Sequence, residues 1–274
     1  MLWEELTAPN FEKAVKDCGG VCVLPIGVLE KHGNHLPLGT DMYQVTSVCK
    51  AAAEAEPAIV FPYYFMGQIA EARHYPGTIS TSYKLMLDVL LAMCDEISRN
   101  GLKKIIIMSG HGGNGHFLPF FAQSMLGLDR DYAVYTGFAS TFSDEQREII
   151  TQKAGTPHFG SHAGLTETAK MMYLRGDLVR MEDQKDLSQC KSLGRLDDIQ
   201  DVKLFSGFNW YANYPYHFAG DPSPATAEIG KLLFDMAVEN TASAIKAVKA
   251  DNTSVKLIKE FTEYGKNPKA DIRH

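Results

Sequence analysis

Short apolar runs alternate with longer amphipathic stretches over most of the chain. The apolar runs predict buried strands at Val21–Ile26 and at residues 58–62, 104–108 and 132–135. Apolar positions at helical spacing predict helices at residues 41–56, 82–100, 165–174 and 224–250, with a further helix after His116. This alternation is typical of βα units and predicts the α/β class, with a mostly parallel sheet covered by helices on both faces.

The pattern weakens between residues 175 and 220, where charged and aromatic residues follow no clear period. A loop of this length in a compact protein is usually functional, or it is partly structured. The chain has no internal repeat, no low-complexity segment and no convincing linker. We therefore expect residues 1–274 to form a single domain.

Composition narrows the class of protein without identifying it. Hydrophobic residues make up 45% of the chain and charged residues 22%, which is ordinary for a globular protein. The net charge of −6 and the lack of a dense Lys/Arg cluster argue against a nucleic-acid partner. No apolar run approaches the roughly 20 residues of a membrane span. The N-terminus is acidic, unlike a signal peptide, and Cys49 and Cys94 have the setting of reduced core thiols, so we expect a cytoplasmic protein.

Three polar, glycine-rich segments follow a predicted strand or open a predicted helix, at residues 27–41, 109–116 and 160–168. The loops beyond the carboxyl ends of parallel strands form the binding crevice of open α/β sheets. Two of the three segments occupy such positions. A functional site is therefore expected there.

The first segment, GVLEKHGNHLPLGTD, contains Glu30, His32, His35 and Asp41. Two carboxylates and two imidazoles suit Zn²⁺, Mn²⁺ or Fe²⁺ better than Ca²⁺ or Mg²⁺, which prefer oxygen ligands. Glu30 and His32 are two residues apart and project to the same side of extended backbone. Asp41 begins a helix, where its charge is favoured and its two oxygens could bridge two ions. The alternative is a polar loop whose histidines cap backbone groups.

The other two segments are weaker signals when each is taken alone. SGHGGNGH places His111 at the end of a strand, where Gly112 and Gly113 allow close approach to a metal or, alternatively, to a phosphate. GSHAGLTET places His162 on a loop that could reach a substrate. Glu167 falls in the first turn of the next helix, where simple capping is the competing role.

Together the segments resemble the creatininase (creatinine amidohydrolase) family. The resemblance rests on EKHGNHLPLGTD (residues 30–41), GHGGN (110–114) and HAGLTET (162–168), with weaker echoes in HYPGT (74–78) and GDPSPAT (220–226). It implies a three-layer α/β/α fold, two divalent metal ions and hydrolysis of a C–N amide bond, often in a small cyclic substrate. It further implies a homo-oligomer, often a hexamer.

The resemblance also implies roles for individual residues. Glu30 and His111 would bind one ion, His32 the other, and Asp41 would bridge them. His162 matches the family position proposed to handle protons during opening of the amide.

Two departures from the family pattern bear on metal and substrate. Creatininase has a metal-binding glutamate where this chain has Gly113, so a replacement is needed, and Glu167 is our candidate. Creatininase surrounds its substrate with tryptophans, but neither Trp3 nor Trp210 lies between Gly137 and His162. That stretch instead contains Phe138, Phe142, His158 and Phe159. Creatinine is therefore not the expected substrate, although the fold and reaction type are retained.

We therefore expect a metal-dependent amidohydrolase that uses two divalent ions, Zn²⁺ or else Mn²⁺ or Fe²⁺. His162 and Glu167 are the candidate catalytic residues, and His74, Phe138 and His158 the candidate substrate-binding residues. The GHGGN form also occurs in formylaminopyrimidine deformylases and in a mycofactocin-pathway peptidase. One alternative is thus deformylation of an N-formyl pyrimidine that carries a phosphate, for which Arg73 is the only clear candidate cation beside a motif. The other is a non-catalytic subunit that binds a metal or a metabolite.

Overall fold

The central sheet has four strands, which we number β1 (Val21–Ile26), β2 (Ile59–Val60), β3 (Lys104–Ser109) and β4 (Ala133–Phe138). In this computed structural model, which describes residues 1–157, 162–269 and 271, the strands are all parallel in the order β2-β1-β3-β4. The predicted strands therefore exist, although β2 is shorter than expected and β4 extends three residues further. Beyond Val60 the chain leaves the ladder and runs alongside the end of β1.

Helices account for most of the remaining regular structure. In chain order they are α1 (Ala8–Asp17), α2 (Thr40–Ala55), α3 (Tyr83–Arg99), α4 (Asn114–Ser124), α5 (Asp144–Ala154), α6 (Leu165–Arg175), α7 (Asp197–Asp201), α8 (Asn209–Asn213), α9 (Ala227–Ala250) and α10 (Ser254–Lys266). The predicted bounds of α3 and α9 were slightly too wide, because Ser82 and Thr226 are caps rather than helical residues. Each accepts a hydrogen bond from a backbone N–H of the first turn.

The two faces of the sheet are covered by different helices, which confirms the three-layer α/β/α fold. On one face, Leu24 and Ile107 pack in a core shared with α1, α3 and α4. On the other face, Val23 and Ile106 pack in a core shared with α2 and α9. Successive strand residues point to opposite faces, so these near-continuous apolar strands supply both cores at once.

The segment from residue 175 to residue 220 is partly structured rather than a plain loop. It contains short 3-10 turns and the five-residue helices α7 and α8. Each element is too short to display a hydrophobic period, which explains the weak sequence pattern. Residues 205–217 of this segment lie beside the carboxyl end of the sheet and reach the site described below.

Two further expectations concern the cysteines and the membrane. Cys49 and Cys94 are buried in the core as free thiols, as their helical setting predicted. Within the described residues, none of the helices combines the length and the apolar character that a membrane crossing requires.

Helices α6 and α9 approach so closely that a single methyl group does not fit between them. A Cβ placed on Gly230 of α9 would stand 1.9 Å from the carbonyl oxygen of Ala169 in α6. We predict that Gly230→Ala lowers the free energy of unfolding by about 3 kcal/mol, since the helices must separate. The shift of the urea unfolding midpoint measures this effect.

Gly265→Ala is the matched control, because Gly265 lies in α10 with nothing within 4 Å of an added Cβ. This change should stabilise the protein by about 0.5–1 kcal/mol through helix propensity alone. Equal midpoints for the two variants would contradict the packing argument.

Candidate metal centre

The site forms where β1 and β3 end and α2 begins. Two glycines permit this approach: a Cβ on Gly27 would stand 2.7 Å from Asp41 Cβ, and one on Gly110 would stand 3.0 Å from the Asp41 backbone oxygen. Asp41 lies in the first turn of α2, where the helix dipole favours a negative charge. The short strand-to-loop connections thereby bring Asp41 against the loops that follow both strands.

One group of potential ligands consists of Glu30, Asp41 and His111. His111 Nδ1 lies 2.7 Å from Glu30 Oε1 and 3.3 Å from Asp41 Oδ2. All three residues are buried, and one ligand atom from each lies within 4.8 Å of the others. These are the distances at which three side chains can share one cation.

A second group of potential ligands consists of His32, Asp41 and Glu167. His32 Nε2 lies 3.2 Å from Asp41 Oδ1 and 3.8 Å from Glu167 Oε2. Asp41 belongs to both of these groups, with one oxygen facing each, and a third group among the described residues consists of Glu30, His32 and His162. That Asp41 bridges two ions stays a prediction, and its place between the first two groups is what bridging would require.

Backbone carbonyl groups fix the orientation of both imidazole rings. Because a carbonyl only accepts, His32 must donate its Nδ1–H to Glu30 O over 3.3 Å, and His111 its Nε2–H to Gln68 O over 2.7 Å. The opposite nitrogen of each ring then faces the carboxylates, and it would offer its lone pair to a cation bound there. Histidines that bind metals are usually oriented in this way by a partner of the second nitrogen.

The charges of the cluster fit cations. Glu30 Oε1 and Asp41 Oδ2 are buried and accept no hydrogen bond. Burial lowers the pKa of His32, but Asp41, Glu167 and Glu30 outweigh it and raise that pKa to about 9. Burial likewise lowers the pKa of His111, yet Glu30 and Asp41 hold it well above its ordinary value. The carboxylates thus stabilise positive charge at the position where divalent ions would bind. The mixture of imidazole nitrogens and carboxylate oxygens suits Zn²⁺, Mn²⁺ or Fe²⁺.

His162 lies at the edge of this cluster and lines the pocket above it. Its ring packs 4.3 Å from that of His32, centroid to centroid. Its Nε2–H donates to the carbonyl oxygen of Lys31 over 2.8 Å, so Nδ1 is the nitrogen left to exchange a proton. The ring is therefore fixed beside the candidate ligands, where the sequence analysis expected a proton donor.

His217 was missed by the sequence analysis. Its Nδ1 accepts a 3.0 Å hydrogen bond from Trp210 Nε1, so its proton is on Nε2, which donates a short bond to Glu30 Oε2. Burial lowers the pKa of His217 to about 4, which keeps the ring neutral and the charge of Glu30 intact. The relay Trp210–His217–Glu30 fixes one carboxylate oxygen and leaves Oε1 for the cation.

Glu167 and Gly113 are the two positions to examine for the glutamate that the resemblance to creatininase led us to expect at position 113. Glu167 Oε2 accepts the Ala163 N–H at 2.5 Å, which is the capping role, and also faces His32. A Cβ on Gly113 would stand 2.4 Å from His111 Nε2 and 2.6 Å from Gln68 Oε1. A side chain at position 113 would therefore require His111 or Gln68 to shift.

The remaining candidates lie further from the cluster. His35 points away from it and bonds Thr168 Oγ1 at 2.9 Å, and burial lowers its pKa to about 4. His74 is exposed and bonds the carbonyl of Pro215 at 2.9 Å, outside the pocket lining. Phe138 is also outside that lining, at the end of β4. His158 falls outside the described residues.

The fold and the site define an α/β protein with a buried cluster of carboxylates and imidazoles that could hold a metal ion. The chain belongs to the creatininase family, because the family model for creatinine amidohydrolase matches residues 4–245.

Related proteins differ in their named substrates. The chain is 27% identical to the creatinine amidohydrolase of Pseudomonas putida, over 88% of this chain and 95% of that protein. It is 25% identical to the mycofactocin precursor peptide peptidase of Mycolicibacterium smegmatis, with 85% and 87% covered. It is 26% identical to the 3-dehydro-scyllo-inosose hydrolase of Thermotoga maritima, with 84% and 77% covered. All three names denote hydrolases.

Solved structures support the same fold. A crystal structure of creatinine amidohydrolase superposes with a TM-score of 0.74 at 24% identity, covering 92% of this chain and 98% of that one. A structure titled as the manganese form of creatininase superposes with a TM-score of 0.72 at 23% identity, covering 91% and 99%.

The relay through His217 leads to a prediction about metal affinity. We expect His217→Leu to weaken Zn²⁺ binding by about 10- to 100-fold, because Glu30 Oε2 would be left buried without a donor. Competition with a chromophoric chelator measures this affinity.

Two further variants separate the hydrogen bond from general damage. His217→Gln restores an N–H donor near the position of Nε2 and should recover part of the affinity. Trp210→Phe removes only the bond to Nδ1 and should cost less than His217→Leu. Wild-type Zn²⁺ affinity in folded His217→Leu would refute the role of the relay.

Proposed function

We propose that this protein is a metal-dependent hydrolase that cleaves a C–N amide bond. The observation that carries the proposal is the pair of ligand groups joined by Asp41, with His162 beside them in one pocket. Glu30 and His111 would hold one ion, and His32 and Glu167 the other. Such ions, when bound, polarise a carbonyl group and make a water nucleophilic near neutral pH.

The side chains of this protein would perform the remaining tasks. His162 Nδ1 would take a proton from the attacking water and pass it to the departing nitrogen, a role that suits an imidazole. The Lys31 carbonyl holds the other nitrogen, so the ring stays oriented while Nδ1 changes its protonation state. His217 would keep Glu30 ionised and fixed throughout, because it is neutral and donates to Oε2.

The names of the relatives favour an amide substrate without defining it. A creatinine amidohydrolase and a peptidase both act on amide bonds, whereas an inosose is a cyclic polyhydroxy ketone. Hydrolysis is common to all three, and the amide bond is our choice within that class. Whether the amide is cyclic, and whether the protein forms a homo-oligomer, stay predictions.

Both alternatives receive less support. A phosphorylated pyrimidine would need a cation near the metals, but Arg73 is exposed and neither Lys nor Arg lines the pocket within the described residues. A non-catalytic metabolite-binding subunit would not need His162 fixed beside the ligand cluster.

The experiment is a screen of Zn²⁺- and Mn²⁺-loaded protein against cyclic amides, N-formyl amides and dipeptides, with release of amine as the readout. We expect turnover of at least one amide, and loss of at least 100-fold in His162→Ala. We also expect little or no turnover of creatinine, since residues 137–162 contain no tryptophan and Trp210 enters the pocket from a different segment. Metal-loaded protein that hydrolyses none of these amides would count against the proposal, and efficient turnover of creatinine would refute its substrate half.

Glu167→Gln tests the proposed replacement for the carboxylate absent at Gly113. If Glu167 is a direct ligand, the variant should retain one tightly bound metal ion per chain while the second is lost, because His32 and Asp41 alone give too few contacts. Metal analysis after dialysis measures this stoichiometry. Two ions at full occupancy would instead assign Glu167 to capping the Ala163 N–H.

A further inference from the structure

The pocket above the candidate metal centre has a polar wall away from the candidate ligands. Its volume is about 920 Å³, near the upper end of the roughly 300–1,000 Å³ range of ligand pockets. Glu30, His111, His162, Glu167 and His217 form its floor, and Gln68, Glu71 and Tyr83 form one wall, here called the Glu71 wall.

The Glu71 wall is held in place by hydrogen bonds. Gln68 Nε2 donates to Glu71 Oε2 at 2.6 Å and to Tyr83 Oη at 3.1 Å. The backbone of Gln68 is tied to the GHGGN segment, because its N–H donates to Asn114 Oδ1 at 3.0 Å and its carbonyl accepts from His111. Glu71 is thus positioned relative to the metal centre before a ligand arrives.

Glu71 is the carboxylate of this pocket that no imidazole or cation balances. Glu30 and Glu167 face histidines, whereas Glu71 forms no ion pair among the described residues. It also lies outside the groups of potential metal ligands found among the residues that the structure describes. Gln68 Oε1 beside it is buried and accepts no hydrogen bond. The wall therefore offers acceptors and negative charge.

The Glu71 carboxylate lies next to Gly113, which leaves room for it because it has no side chain. A Cβ on Gly113 would lie 3.1 Å from Glu71 Oε1, so a larger residue there would press on this carboxylate. The rest of the pocket is largely apolar and includes Leu87, Phe117, Phe120, Phe205 and Trp210. One fixed carboxylate among rings and aliphatic groups matches a ligand with a cationic end and an apolar stem.

We propose that Glu71 binds a positively charged group, a primary ammonium or a guanidinium, at the end of the substrate remote from its amide. An apolar stem would lie along Phe117 and Leu87 and place the amide at the floor. The amide in this inference rests on the proposed function, but the cation subsite does not.

Binding of simple probes tests the subsite without any turnover. Calorimetric titration of the Zn²⁺-loaded protein at pH 7 compares 2-phenylethylamine with 2-phenylethanol, which lacks the charge. We expect the amine to bind about tenfold more tightly or better, and the advantage to disappear in Glu71→Gln. Glu4→Gln, at an exposed carboxylate outside the pocket, should keep the full advantage.

A second variant protects the test against misfolding of the first. Gln68→Met leaves the charge of Glu71 but removes the bond that fixes it, so the advantage of the amine should shrink without vanishing. Equal binding of amine and alcohol by wild-type protein would overturn the inference. So would an advantage that survives in Glu71→Gln, since the amine would then be bound elsewhere, at the metals for example.

Matched amides separate this inference from the proposed function. N-Acetyl-1,4-diaminobutane and N-butylacetamide carry the same amide, with and without a cation. Preference for the first in kcat/KM, and loss of that preference in Glu71→Gln, supports both proposals. If neither amide is hydrolysed while amine binding still depends on Glu71, amide hydrolysis loses support and the cation subsite stands. If an amide is hydrolysed but its hydrolysis does not depend on Glu71, amide hydrolysis is supported and the cation subsite is refuted.

Discussion

The rest of the structure depends on two carboxylates buried where β1 and β3 end. Taking an ionised carboxylate out of water costs several kcal/mol unless opposite charge and hydrogen bonds compensate for it. Glu30 and Asp41 have almost no exposed surface, and one oxygen of each accepts no hydrogen bond. Their compensation comes from His32 and His111 and, when present, from cations. Every loop around the sheet edge is therefore constrained to keep these groups in contact.

The contacts that hold these groups in place are made by the backbone more than by side chains. The carbonyl groups of Glu30, Gln68 and Lys31 each receive one imidazole N–H. Three rings are thereby oriented by peptide groups, which no substitution can remove. Gly27 and Gly110 serve the same purpose, because only residues without a Cβ let α2 begin so close to both strands. The backbone conformation of these segments therefore determines the geometry of the candidate metal centre.

The site residues that fall within a recognisable motif could be predicted, whereas His217, in a segment without one, could not. Glu30, His32 and Asp41 fall within one short segment after a strand, and His111 follows the next strand of the sheet. His217 acts on Glu30 from 187 residues away, in a stretch without a hydrophobic period. Its signal was present but indirect, in a histidine and a tryptophan within an aromatic segment too polar for a core.

The same reasoning explains the successes and omissions in the fold. Strands buried on both faces give continuous apolar runs, so β1 and β3 were easy to locate. Helix α5 was missed although Ser143 and Gln146 form a capping box and Gly155 ends it in a left-handed conformation. Its buried face is narrow, with Ile150 as the buried residue among those described, so periodicity gave little signal. Local capping chemistry was the more informative pattern there.

Gln68 shows how a family could change substrate while keeping its metal centre. Its backbone carbonyl orients His111, and its side chain holds Glu71 on the pocket wall. A substitution at this position alters the wall but leaves the carbonyl in place, so ligand geometry survives a change in specificity. Gly113 adds the complementary constraint, since a side chain there would collide with both Gln68 and His111. The glycine at position 113 thus leaves the space that the Gln68 and Glu71 side chains occupy in this chain.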